Sequence, residues 1–189
     1  MLITLAALLL APAAAEAACG GVHRVPAKKR PKHGRPPLAI GDSTMLLAVD
    51  HLARDGWSVD AHGCRGMEEG LDVLRRRRAR HRLPHLVAIA LGTDFTVRRR
   101  QIKTALHIIG PKRVLALVTP RELGGWSGAD ARSMRSAARD YRRRVLLLDW
   151  VRFSRGHGSW FQPDGCHLTW AGARAFTRLL RRALPLANP

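Results

Sequence analysis

Apolar positions in this chain fall into short continuous runs separated by longer amphipathic stretches. "PLAI" ahead of Gly41, "WSVDA" from Trp57, "HLVAIAL" from His85, "RVLALVT" from Arg113 and "VLLLDW" from Val145 read as five strands. Between them the spacing turns helical. "STMLLAVDHLARDG" from Ser43 places Leu46, Leu47 and Val49 inward, with Gly56 as the stop. "MEEGLDVLRRRRARH" carries Glu68 and Glu69 in its first turn and arginines towards its end, the polarity that a helix dipole favours. "VRRRQIKTALHIIG", "GADARSMRSAARDYRRR" and "AGARAFTRLLRRAL" complete the helices, the last ended by Pro185. Continuous apolar strands alternating with helices predict an α/β fold with a parallel sheet covered on both faces. Right-handed crossovers then give a three-layer α/β/α sandwich around a five-stranded sheet.

At 189 residues there is room for one domain and little more. We divide the chain into an apolar N-terminal segment (1–18), a basic Pro/Gly-rich linker (19–37) and the folded domain (38–185). "MLITLAALLLAPAAAEAA" reads as a secretory signal with Ala15-x-Ala17 as its cleavage site, though it lacks a positively charged start. An uncleaved anchor, a mis-assigned start and lipid attachment at Cys19 are the alternatives. The expected location is secreted or extracytoplasmic. With 33 Lys+Arg against 14 Asp+Glu the formal charge is +19, concentrated in runs such as Arg75–Arg78 and Arg142–Arg144. Such a surface attracts anions, and export directs the expectation to an anionic envelope polymer or lipid surface and away from nucleic acid. A solvated arginine surface without a partner is the plainer reading.

In a parallel sheet the chemistry belongs at the carboxyl ends of the strands. "GDST" (Gly41–Thr44) follows the first strand, "LGTD" (Leu91–Asp94) the third, and "DGCH" (Asp164–His167) the loop after the fifth. Ser43, His167 and Asp164 can therefore meet on one edge. A serine hydroxyl is a weak nucleophile. It needs an imidazole to take its proton, and the imidazole needs an acceptor on its other nitrogen to fix its tautomer. Alone, Ser43 would be an N-cap, His167 a structural histidine and Asp164 a turn residue. Their joint placement favours catalysis.

These blocks resemble the SGNH (GDSL-like) hydrolase superfamily, and especially the SGNH domains of bacterial envelope acyltransferase and esterase proteins. "AIGDST" resembles the first block, "ALGTDF" stands at the third, and "LLLDWVRFSRGHGSWFQPDGCHLTWAGARAF" resembles the last, over roughly residues 37–184. The resemblance implies a flavodoxin-like fold, Ser43 as nucleophile, His167 as general base and Asp164 as its orienting partner. It implies no metal and no organic cofactor. An oxyanion hole would come from the Ser43 N–H, the N–H of Cys64 in the degraded second block, and Asp94 in the third. The family places an asparagine donor where Asp94 stands, and an ionised aspartate cannot donate. Three outcomes stay open: a protonated Asp94, a shifted loop, or weak activity.

The same fold would bring Cys64 and Cys166 into neighbouring loops, where an exported protein would join them as a disulfide. The competing reading is a metal site from His62, Cys64, Cys166 and His167, without a usual zinc spacing. The resemblance implies turnover of short acyl esters, with O-acyl groups of envelope carbohydrate as a candidate substrate and an acyl-enzyme as intermediate. A rival is an inactive module on the same scaffold that binds anionic glycan or lipid.

Overall fold

The five buried runs pair side by side as expected, and a sixth strand joins them at one edge. In a computed structural model, which describes residues 21–122, 124 and 128–187, the strands are β1 (Val22–Val25), β2 (Leu38–Gly41), β3 (Ser58–His62), β4 (Leu86–Ala90), β5 (Val114–Val118) and β6 (Val145–Leu148). Their order across the sheet is β1-β3-β2-β4-β5-β6. All neighbours run parallel except β1, which pairs antiparallel with β3 from Val22 opposite His62 to Val25 opposite Val59. The expected five-stranded parallel sheet is present, with one antiparallel strand added at its edge, and residues 22–25, inside the stretch read as linker, supply that strand. The segment read as a secretory signal and Cys19 lie outside the described residues.

The helices are α1 (Val49–Arg54), α2 (Met67–Ala79), α3 (Arg99–Ile109), α4 (Ala129–Asp140), α5 (Trp150–Phe153) and α6 (Trp170–Arg181). Alternation along the strands sends side chains to two cores. Leu38, Ile40, Val87, Ile89, Leu115 and Leu117 pack with Leu71 and Leu74 of α2, Ile102 of α3 and Met134 of α4. Ala39, Ala88, Ala90 and Ala116 face the other way, towards Leu52 of α1 and Phe176, Leu179 and Leu180 of α6. Small residues on that face let the helices approach closely. Each large side chain fully buried contributes roughly 1.5–3 kcal/mol of transfer free energy.

The first helix differs from its predicted form. Ser43–Ala48 is a 3₁₀ turn and the α-helix begins only at Val49. A three-residue period buries Met45 and Ala48, leaving Leu46 and Leu47 partly covered. At the other end of the chain, Gly172 in the first turn of α6 lies so close to the 158–160 turn that an added Cβ would stand 1.9 Å from the Trp160 carbonyl oxygen. Only glycine lets α6 dock there, and this contact seats the segment that leads into the candidate site.

Candidate active site

Residues at the carboxyl ends of β2, β4, β5 and β6 meet the loop from Phe161 to Leu168. That loop folds on itself. Phe161 and Leu168 form an isolated bridge, the Gln162 N–H donates to the His167 carbonyl at 2.8 Å, and Gly165, with φ +76°, closes the turn by donating to the Gln162 carbonyl. Asp164 stands at its tip. One carboxylate oxygen accepts the N–H groups of Cys166 and His167, both at 2.9 Å. The other receives the His167 ring at Nδ1, 2.6 Å away. Aspartate suits this turn because its side chain bonds the backbone two and three residues on. The three-residue spacing thus fixes the loop and aims the imidazole at once.

His167 Nε2 lies 2.9 Å from Ser43 Oγ. The structure therefore brings Ser43, His167 and Asp164 together as the sequence predicts, with donor and acceptor in the order a serine relay requires. Burial works to raise the Asp164 carboxyl, but it is outweighed. The two backbone N–H groups and the imidazole hold it down at about 2. It is thus ionised at neutral pH and accepts from Nδ1–H, leaving Nε2 free to take the serine proton.

Ser43 is positioned by Asp42, which sequence reasoning passed over. Asp42 is buried and caps the 3₁₀ turn, accepting from the Thr44 N–H at 3.1 Å and the Thr44 hydroxyl at 2.6 Å. Its second oxygen accepts the Thr93 N–H at 3.3 Å, tying the serine turn to the β4–α3 loop. Burial pushes its carboxyl up despite these bonds, and the charge of Asp94 adds to the push. The Ser43 N–H begins the turn and has no acceptor within it.

The two other proposed oxyanion positions fare differently. Cys64 adopts φ +53°, a backbone conformation that glycine reaches most easily. Asp94 is exposed on its loop, and its charge acts on both Asp42 and Cys166. Beside Cys64, Arg65 is buried. It donates to the Asp60 carboxylate at 2.7 Å, to the Asp60 carbonyl at 2.5 Å and to the Gly41 carbonyl at 3.4 Å. This arginine fastens the β3–α2 loop to the end of β2, two residues before the serine. Nothing in the sequence distinguishes it from the surface arginines.

The expected Cys64–Cys166 disulfide is corrected. Cys64 is disulfide-bonded, while Cys166 is a free, buried thiol, so the bond of Cys64 goes elsewhere. The loop turns Cys166 inward, where it lines a small gap with Val118, Trp150, Leu168 and Phe176. Burial and the Asp164 charge push its thiol up to about 12. The alternative metal set fails on the same fact, and His62 faces Glu69 at 3.4 Å. Among the described residues, the group with metal-binding spacing is Asp164, Cys166 and His167, whose acid and imidazole are already bonded to each other.

Two supports were not legible beforehand. Arg121 Nε donates to the Gly165 carbonyl at 2.9 Å, and its guanidinium lies 4.1 Å from the centre of the Phe161 ring. The Gly124 N–H donates to the Asp164 carbonyl at 2.8 Å. Together they clamp the 161–168 loop from the β5–α4 side. Behind it, Trp150 packs on Phe161 and Phe176 at 5.7 and 5.2 Å. Asp149 anchors that block. Burial would raise its carboxyl, but the Arg135 guanidinium at 2.8 Å, the Arg152 N–H and the Thr119 hydroxyl hold it below the usual range.

The fold is that of solved SGNH hydrolases. Known proteins sharpen the likeness. The peptidoglycan O-acetyltransferase OatA of Listeria monocytogenes is 30% identical over 145 residues, 76% of this chain and 23% of that one. YrhL of Bacillus subtilis is 30% identical over 159 residues, 83% of this chain and 25% of that one. This chain thus spans about a quarter of the length of these curated relatives. The C-terminal catalytic domain of peptidoglycan O-acetyltransferase A from Streptococcus pneumoniae, solved with a methylsulfonyl adduct, superposes with a TM-score of 0.70 at 21% identity, over 80% of this chain and 93% of that domain. No family model matches the chain.

Proposed function

We propose that the chain is an exported serine esterase or O-acyltransferase that acts on short acyl esters, with O-acetyl groups of envelope carbohydrate as its substrate. The observation that carries this reading is the continuous relay from Asp164 through His167 to Ser43. Ser43 Oγ attacks the ester carbonyl while His167 Nε2 takes its proton. The tetrahedral oxyanion is received by the N–H groups of Ser43 and Cys64. Its collapse expels the alcohol, which takes the proton back from His167, and leaves an acyl-serine. Water, or a sugar hydroxyl, then attacks with His167 again as base. Water releases the acid; the sugar accepts the acyl group.

The likeness to peptidoglycan O-acetyltransferases supports a peptidoglycan substrate. So do two exposed aromatic side chains, one at the first position of α6 and one on the β4–α3 loop. Trp170, three residues after His167, is 64% exposed, and Phe95, 53% exposed, rests against Gly66 next to the Cys64 loop. Flat aromatic faces are surfaces on which sugar rings stack. The apolar, alanine-rich start supports export. The experiment is turnover of p-nitrophenyl acetate and butyrate by the wild type and Ser43→Ala. Serine-dependent turnover is expected; equal rates would overturn the assignment.

One observation favours a second reading. Asp94 stands where the resemblance calls for a neutral donor. A module that binds anionic glycan or lipid without turnover would tolerate that residue. It predicts salt-sensitive retention on such a ligand and no labelling of Ser43 by a fluorophosphonate.

A further inference from the structure

The arginine run Arg75–Arg78 divides into two kinds. Arg75 pairs with Asp72 at 2.6 Å, and Arg78 donates to the carbonyls of His107 and Ile108 at 3.0 and 2.9 Å. Arg76 and Arg77 do neither. They turn into a cavity of about 440 Å³ between the sheet edge and α2, together with Arg24 of β1, Arg80 and Arg82. The backbone closes this cluster: the Arg82 N–H donates to the Arg77 carbonyl at 2.7 Å, folding the chain back over the end of α2. The cavity exists because β1 extends the sheet beyond β3.

Its charge is uncompensated. Among the described residues, the guanidinium groups of Arg76, Arg77, Arg80 and Arg82 make no hydrogen bond or ion pair. The one carboxylate present, Asp60, is already held by Arg65 at 2.7 Å and approached by Arg24 at 3.4 Å. Arg77 is half-buried. Burial, with Arg24 and Arg82 close by, pushes its guanidinium below the ordinary arginine range despite the attraction of Asp60. A cavity that crowds five guanidiniums around one occupied carboxylate is favourable for an anion with several charges.

We propose that this cavity binds a chain of linked phosphate groups, each phosphate taken up bidentately by one or more of Arg24, Arg76, Arg77, Arg80 and Arg82. Phosphate matches the planar guanidinium fork, and successive phosphates match its repetition along the cavity. The site is separate from the triad. It runs along α2 from Val73 to Arg80 and on to Arg82, and none of Ser43, His167 and Asp164 lines it. A polyanion held here would tether the chain to a phosphate-bearing polymer and leave the esterase edge accessible.

The test is calorimetric titration of the full 189-residue chain with tripolyphosphate at about 0.15 M salt. Arg77→Gln/Arg80→Gln should weaken binding by about tenfold or more. Arg80→Gln/Arg82→Gln, at exposed positions, should do the same if the first variant folds poorly. Arg139→Gln/Arg142→Gln removes the same charge elsewhere and should change binding less than about twofold. Turnover of p-nitrophenyl acetate should be unchanged in all three, so the result stands apart from the catalytic reading. No wild-type binding, or equal losses in the cavity and charge-matched variants, would overturn the proposal. Arginine-dependent retention on phosphatidylglycerol vesicles without tripolyphosphate binding would also overturn it, in favour of a membrane surface.

Discussion

Three loops at the same edge of the sheet are held in different ways. The 161–168 loop is fixed by its own sequence: Asp164 bonds two backbone N–H groups and an imidazole within three residues, and Gly165 closes the turn. The β3–α2 loop is fixed from outside, by a buried Arg65–Asp60 pair that reaches across to Gly41. The β4–α3 loop is tied through Thr93 to Asp42 and leaves Asp94 exposed. The first arrangement is built from within the loop and braced from outside by Arg121 and Gly124. The others depend on buried charged groups, Arg65 with Asp60, and Asp42.

The largest effects should fall on the local loop. Asp164→Asn keeps an oxygen for the backbone N–H groups but presents the wrong partner to the imidazole. Ester turnover should drop by about 10⁴-fold with the melting temperature little changed, read by steady-state rates beside thermal melts. Arg65→Ala should destabilise the fold by about 3–5 kcal/mol in urea unfolding, because it strands the buried Asp60 charge. A loss under about 1 kcal/mol would mean that Arg24 suffices to hold Asp60.

Asp94→Asn should raise turnover by up to about 10²-fold, by replacing a carboxylate with an amide donor near the oxyanion. No change would remove Asp94 from the oxyanion hole. The smallest effect concerns acid. Asp164 is depressed from 3.8 to about 2 in the folded chain, so its contribution to stability is complete above about pH 4 and is lost as pH falls towards about 2. Melts across that interval should fall more steeply for wild type than for Asp164→Asn.

The same contrast explains what was legible in the sequence. Strands β2, β4, β5 and β6 announce themselves as apolar runs, and Asp-x-x-His encodes its own turn, so the parallel sheet and the meeting of Ser43, His167 and Asp164 are legible in the sequence. The Val22–Val25 strand is not. It is four residues long, three of them exposed, and its pairing with β3 is non-local. Arg65 is one of 33 basic residues, and only burial marks it out. The cysteine pairing failed because proximity of two loops does not say which way each side chain points; Cys166 points into the core. The opening helix was misjudged in detail because a 3₁₀ turn buries every third position, and a 3.6-residue period does not distinguish it over six residues.

The central claim is that Ser43 is a nucleophile activated through His167 by Asp164. The most direct measurement is intact-mass and peptide mapping of the chain after reaction with a fluorophosphonate, for wild type, Ser43→Ala and His167→Ala. The account predicts one adduct per wild-type chain, located on Ser43, and none in either variant. An adduct at another residue, or labelling of Ser43 at the same rate without His167, would contradict it.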